Sequence, residues 1–245
     1  MARFYVPDAQ VEEGMLRVEG SEARHIRSVL RLKAGDRISV FDGSGKEYEG
    51  TLVELRSTSV LMKIVQTLSP QNDSPLEITL AQSLLKGEKM DYLIQKATEL
   101  GIRQIVPFTS SRSIPLLEKA KREERHRRWE KIAIEASKQC GRGVLPRINP
   151  IQDFSEILRS AASDALRLIL WEKEGIRLKR ILEGAGGTRG IFFVVGPEGG
   201  WSEEEVEESR RNAFTPITLG KRILRSETAS LCFVSILQYE WGDLG

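Results

Sequence analysis

The chain has 245 residues, with 37 Lys+Arg against 35 Asp+Glu and a formal net charge of +2. That length suits one large domain or two small ones. With 40% apolar and 29% charged residues it is neither disordered nor collagen-like, and no window approaches the roughly 20 apolar residues of a membrane helix. The start, Met-Ala-Arg-Phe-Tyr-Val-Pro, lacks the apolar core of a signal peptide. Cys140 and Cys232, with His25 and His126, are too few for a disulfide framework or a His-rich metal site. The expectation is no membrane and no metal.

In chain order, Ser21 to Leu30 reads as a short helix carrying Arg24, His25, Arg27 and, just beyond it, Arg31. Arg37–Phe41 and Tyr48–Val53 flank the Gly-rich turn Asp42-Gly-Ser-Gly-Lys46 and read as a hairpin. Ser59–Val65 is a further strand. Ser69 to Pro75 combines two prolines with polar residues and marks a domain boundary.

Beyond it strands and helices alternate. Leu76–Ala81 is a strand. Lys86–Leu100 is a helix with Met90, Leu93, Ile94, Ala97 and Leu100 on one face and Gly101 at C′. Ile105–Phe108 is a short strand, and Lys119–Cys140 a second helix with Trp129, Ile132, Ala133, Ala136 and Cys140 on one stripe. Leu168–Trp171 is a strand, Leu178–Leu182 a short helix, and Ile191–Val195 a buried strand by its unbroken apolarity. A capped helix, the strand Ile217–Leu219 and a helix from about Glu227 to Trp241 complete the pattern. It argues for a mostly parallel α/β sheet. The last helix is apolar nearly all round, so either the chain itself or a second subunit buries it.

The near-zero charge hides an asymmetry. Residues 86–147 carry 15 Lys/Arg against 8 Asp/Glu, whereas residues 1–72 hold 10 of each. The basic middle reads either as a solvated helix face or as a phosphate-facing surface.

Two loops carry the chemistry. Gly196-Pro-Glu-Gly-Gly-Trp-Ser202 leaves a buried strand and enters a helix, where open α/β folds bind ligands. Ser202 and Glu205 fit a capping box, and Glu203, Glu204 and Glu205 fill the first turn. They occupy the place of a phosphate and favour a ligand with a positive centre. Leu219-Gly-Lys-Arg-Ile-Leu-Arg-Ser-Glu-Thr-Ala229 follows a strand and starts the last helix, with Ser226 the expected N-cap. Ile223 and Leu224 are too apolar for a free loop, so packing is expected. Lys221, Arg222 and Arg225 face a polyanion, a developing negative charge, or nearby glutamates.

At these loops the chain resembles the 16S rRNA (uracil-N3)-methyltransferase family, RsmE type, of the SPOUT superfamily. The resemblance extends upstream through His25–Lys33, Phe41–Gly43, Lys86–Asp91, Gln95–Gly101 and Arg128–Arg142. It implies an α/β fold: a small N-terminal PUA-like β-barrel, RNA-binding, over 1–72, and a SPOUT methyltransferase domain with a trefoil knot over 73–245. It also implies a cytoplasmic homodimer and S-adenosyl-L-methionine as cofactor. The acceptor is N3 of a uridine in 16S rRNA, on the assembled 30S subunit. The implied cofactor residues are Leu170, Trp171, Glu172, Gly196, Pro197, Glu198, Gly199, Gly200, Leu219, Gly220, Ile223 and Leu224. Trp201 stands where the resemblance leads one to expect Phe, and Cys140 where it leads one to expect Ser.

Removing the N3 proton develops negative charge over uracil. Arg225, a permanently charged planar fork, is the first candidate to stabilise it. Glu198 or Glu227 accepts a proton or orients Arg225. Arg3, Arg24, His25, Arg27, Arg31, Arg112, Lys138 and Arg142 are candidate RNA contacts, with His25 equally able to fill the small domain. A tRNA ribose acceptor and a non-catalytic RNA-binding role are the competing functions.

Overall fold

The computed structural model describes residues 1–69, 73–113, 118–184, 188 and 190–245. Residues 70–72 of the expected boundary therefore lie outside the described residues. The chain divides into two compact units, 1–73 with 134–145, and 74–133 with 146–245.

The first unit is β-rich, as its β-branched runs and Gly-rich turn require. Its strands are β1 (Ala2–Tyr5), β2 (Val11–Glu12), β3 (Met15–Glu19), β4 (Arg37–Phe41), β5 (Glu47–Leu55) and β6 (Ser59–Leu68). They form one sheet in the order β1-β4-β5-β6-β3-β2. The expected hairpin is present, with Arg37 opposite Thr51 and Phe41 opposite Glu47. Phe4, Leu16, Val18, Ile38, Val40, Leu52, Val60 and Met62 alternate inward and form the core. The expected first helix is present over Gly20–Val29. It runs as α1 (Gly20–Arg24) and widens into a π-helical turn over His25–Val29, where Ile26 is fully buried.

Residues 134–145 group with this unit, a return that a single linker does not anticipate. Backbone groups explain it. Arg3 donates to the carbonyls of Ser137 and Arg142, each at 2.7 Å, and Val144 bridges to Gly43 and Ser44. Arg3 also makes a two-pronged pair with Glu47 at 2.9 and 3.0 Å and stacks over the Phe41 ring. Burial pushes the Glu47 carboxyl up, but hydrogen bonds from Arg3 and Ser39 and the Arg3 charge outweigh it and hold it below the usual carboxylate range. A carboxyl lowered on folding stabilises the native state above its unfolded pKa, and that stability is lost as pH falls through the folded value. Acid titration of the wild type should therefore show stability falling as Glu47 becomes protonated. Glu47→Gln should be less stable at neutral pH and lose less on acidification; equal acid limbs would refute this role.

The second unit is the alternating half. Its elements are β7 (Glu77–Ser83), α2 (Lys89–Glu99), β8 (Gln104–Thr109), α3 (Lys119–Cys140), β9 (Arg147–Ile148), β10 (Gln152–Asp153), α4 (Phe154–Ser160), β11 (Leu166–Leu170), β12 (Ile176–Arg177), α5 (Leu178–Gly184), β13 (Gly190–Val195), α6 (Glu203–Arg211), β14 (Thr215–Thr218) and α7 (Ser226–Trp241). The division between units falls within α3. The sheet order is β10-β8-β7-β13-β11-β14-β12, with β9 beside β8, and every pair is parallel. Two apolar layers cover its faces, one with Leu93, Trp129 and Phe233, the other with Phe108, Phe154 and Trp201. On α2 the expected face is buried at Met90, Leu93, Ile94 and Ala97, with Leu100 packed beside it and Gly101 beyond at a φ of +82°.

Chain order and sheet order part company at β11. β13 lies on one side of it and β14 on the other. Such reversals open a crevice at the carboxyl ends of parallel strands. The ends involved are Leu170, Val195 and Thr218, and the two singled-out loops begin after Val195 and Thr218.

Among the described residues no helix is long and apolar enough to cross a membrane, and no group of three or more His, Cys, Asp or Glu could hold a metal ion.

Candidate active site

A cavity of about 380 Å³ opens at this sheet edge. All twelve residues expected to hold the cofactor line it, as do Arg225, Trp201, Thr218, Arg222, Ser226 and Ala229. The walls are apolar where Leu170, Ile217, Leu219 and Leu224 contribute, and glycine backbone forms one rim.

Local chemistry fixes the first loop. Ser202 Oγ accepts from the Glu205 N–H at 3.2 Å while the Glu205 carboxylate accepts from the Ser202 N–H at 3.0 Å, the expected capping box. The other Glu205 oxygen accepts from the Ser111 N–H at 2.8 Å. Glu204 is held below the usual carboxylate range by its own backbone N–H and by Ser202. The helix start is thus filled by carboxylates, which disfavours a phosphate there.

Trp201 supports the loop from beneath. It is 2% exposed, stacks on Phe108, tilts against Phe154, and donates Nε1–H to the Leu170 carbonyl at 2.8 Å. A Cβ on Gly196 would stand 2.9 Å from its ring, so only glycine lets the loop lie against the indole. Gly200 has a φ of +70°, and a Cβ there would meet the Glu172 carboxylate at 2.9 Å.

The second loop is held by a buried polar chain. Gln82 donates to Ser226 Oγ at 2.9 Å, Ser226 donates to the Gly196 carbonyl at 2.6 Å, and Ser230 donates to Gln82 at 2.6 Å. Gln82 and Ser230 are fully buried. This network ties β7, the glycine loop and the first turn of α7 together. Ser226 therefore does not cap α7, as the sequence suggests; Arg225 is the N-cap residue, in extended backbone without a side-chain cap bond. The Ser226 hydroxyl instead serves the neighbouring strand end. Ile223 also departs from expectation. It is 81% exposed rather than packed, because nothing else in the described chain covers the loop. Among the described residues, Lys221, Arg222 and Arg225 have no carboxylate within ion-pair distance.

Lys89 bridges the two candidate carboxylates, at 3.0 Å from Glu198 and 3.7 Å from Glu227. The Lys86 N–H adds a weak bond to Glu198 at 3.4 Å. Burial pushes the Glu198 carboxyl up, but Lys89 and backbone N–H groups outweigh it and keep it below the usual range. The Glu198 bond in turn raises the Lys89 ammonium, against the nearby Arg225 charge. Glu227 stands behind the lining, with its second oxygen buried and without a hydrogen-bond partner. Both carboxylates thus share one cation, Lys89, at the cavity.

The eight candidate RNA contacts fall into different environments. Arg3 is committed to Glu47 and two carbonyls, as described. Arg142 is buried and paired with Asp73 at 3.0 Å. Lys138 is paired with Glu22 and Glu135 at 2.5 and 2.9 Å. Burial lowers its ammonium, but those two partners outweigh this and raise it. These three side chains are spent on internal contacts. Arg24 and Arg31 are exposed. Arg27 is half-buried and donates to the Ser57 carbonyl. His25 is half-buried, edge-on to Phe4 with ring centres 5.9 Å apart. In the second unit Arg112 donates to the carbonyls of Gly199 and Trp201 at 3.2 and 3.3 Å, so it braces the glycine loop.

Sequence reasoning passed over Gln82 and Ser230, because a polar residue inside an apolar run gives no sign of its partner. It also passed over α4, whose start carries a legible signal in the Asp153 and Glu156 capping box.

A parallel α/β unit whose glycine loop and cationic loop meet in one sheet-edge cavity, joined to a small β unit, is the architecture of an RNA-modifying transferase. The RNA methyltransferase domain family matches residues 72–238, and the RNA methyltransferase PUA domain matches residues 18–65. The chain is 30% identical to the ribosomal RNA small subunit methyltransferase E of Bacillus subtilis, over 98% of this chain and 97% of that one. A solved structure of the Neisseria gonorrhoeae ribosomal RNA small subunit methyltransferase E bound to S-adenosyl methionine superposes with a TM-score of 0.91 at 36% identity, covering 100% of both chains. A putative methyltransferase from Legionella pneumophila, in complex with the same cofactor, gives 0.90 at 31% identity over 99% of each. The chain belongs to the ribosomal RNA small subunit methyltransferase E family.

Proposed function

We propose that this chain uses S-adenosyl-L-methionine to methylate N3 of one uridine in 16S rRNA, on the assembled 30S particle in the cytoplasm. One observation carries the reading: both sequence-distant loops converge on a single cavity at the reversal point of a parallel sheet. The match to cofactor-bound relatives supports it.

The residues present fit the cofactor. A glycine rim that a Cβ would close, apolar walls, and the carboxylates of Glu172 and Glu198 suit a flat purine ligand bearing a cationic centre. The Trp171 indole N–H, buried without a partner, is a spare donor at the same wall. When bound, the cofactor supplies an activated methyl group on a sulfonium. The protein's part is to hold acceptor and donor in line. Arg225, carried at the start of α7, stabilises the negative charge spreading from N3 to the flanking carbonyl oxygens. Glu198 and Glu227, bridged by Lys89, act as positioning residues, and the N3 proton leaves to water.

In this reading residues 1–72 are the PUA-like RNA-binding domain and 73–245 the methyltransferase domain, with the trefoil knot of the SPOUT fold. Arg24, His25, Arg27 and Arg31 supply phosphate contacts, with Arg112 beside the cavity. The chain acts as a homodimer. Half-open Leu231, Cys232 and Ile236, with Tyr239 at 65% exposure, leave on α7 an apolar strip that a second copy would cover.

The test is methyl transfer from labelled donor to small-subunit particles and to naked rRNA, followed by nucleoside analysis. N3-methyluridine in the small-subunit rRNA is expected, with the particle the better substrate. Label on a ribose, or in tRNA alone, overturns the reading.

A further inference from the structure

We infer that a second cavity, lined by Arg177, Arg180 and Arg210, holds a phosphodiester of the RNA substrate beside the methyl-transfer cavity. The inference rests on the RNA methyltransferase reading above. The cavity has a volume of about 740 Å³, and its lining also includes Glu174, Ile176 and Thr215.

Three elements bring the arginines together: Arg177 ends β12, Arg180 lies on α5, and Arg210 lies on α6. A solvated cationic face spreads like charges along one helix. Here folding gathers them around one concavity, against the single carboxylate of Glu174. Among the described residues neither Arg177 nor Arg180 has a carboxylate within ion-pair distance, and both are exposed. Arg210 pairs with Glu207 and stands over the Trp171 ring, 5.8 Å from its centre. A guanidinium fork matches phosphate oxygens, two donors at a time.

Position ties this cavity to the reaction. β12 pairs with β14 so that Arg177 lies opposite Thr218, and Thr218 lines the methyl-transfer cavity. Trp171 lines that cavity too and carries Arg210 on its ring. One strand spacing, roughly 4.8 Å, separates the two backbones. An RNA strand delivering a uridine to the first cavity would pass its adjoining phosphate across the second.

The test uses the full chain. Binding of labelled small-subunit rRNA is measured between about 50 and 200 mM salt for wild type and Arg177→Ala/Arg180→Ala. The double variant should bind about tenfold more weakly at low salt, and its salt slope should be shallower by about 1 to 2, one phosphate contact per unit. Arg180→Glu should weaken binding further. Calorimetric affinity for S-adenosylmethionine should be unchanged in both, which separates this role from damage to the neighbouring cavity. Wild-type affinity and slope in the double variant overturn the inference. So does weakened cofactor binding matching the loss of RNA affinity. If wild type transfers no methyl group yet its RNA affinity depends on these arginines, the proposed reaction fails and the phosphate cavity stands. If wild type methylates and the double variant binds RNA normally, only the cavity fails.

Discussion

Replacing Arg225 with alanine should slow single-turnover methyl transfer by about 10²- to 10³-fold, the usual cost of removing one donor to a developing oxyanion. Cofactor affinity should stay near the wild-type value, because the apolar walls and glycine rim of the cavity do not depend on this side chain. The network of Gln82, Ser226 and Gly196 holds the start of α7 through groups other than Arg225. The loop should therefore keep its position in the variant. Arg225→Lys keeps the charge but not the planar fork, and should fall between the two. A wild-type single-turnover rate in Arg225→Ala would remove Arg225 from the mechanism. A matched loss of cofactor affinity would reassign it to binding.

Trp201→Ala should be the most destabilising single change at the site. The indole fills the space between Phe108 and Phe154 at 2% exposure. Truncating such a side chain typically costs about 3–5 kcal/mol. It also strands the Leu170 carbonyl, which Trp201 now satisfies at 2.8 Å, at about 1–3 kcal/mol more if water does not reach it. Against a usual stability of about 5–15 kcal/mol, this is a large share. Urea denaturation should show a much lower midpoint. Trp201→Phe keeps most of the packing and loses only the hydrogen bond, so it should stay folded and bind cofactor. If both variants unfold at the wild-type midpoint, Trp201 is not the support of the glycine loop.

Both effects come from residues that a sequence reading sees differently. Arg225 stands out in the sequence because it sits among Lys221 and Arg222 beside two apolar residues. Trp201 stands out only as an aromatic where another aromatic was expected; its burial and its bond to Leu170 are tertiary facts. The basic middle of the chain shows the same contrast. Its density fits a solvated helix face or a phosphate surface, and Lys138 and Arg142 are instead consumed by Glu22, Glu135 and Asp73. Charge counted along a chain does not show which charges meet a partner. The arginines of the second cavity went unnoticed because they come from separate elements that only the sheet brings together.

The sequence by itself determined the longer elements and the capped start of the helix after the first loop. Periodicity marks α2 and α3, unbroken apolarity marks β13, and Ser202 with Glu205 sets the start of α6. These follow from interactions within a few residues, which travel with the sequence. Only the tertiary structure decided what the loops enclose. The strand order around β11, the buried chain from Gln82 to Gly196, and the meeting of Arg177, Arg180 and Arg210 join residues far apart along the chain. Such contacts depend on how sheet and helices pack, and packing is a property of the whole fold rather than of any local window. The net charge of +2 is the plainest case: the composition fixes its size, and the fold decides which cations are left to face RNA.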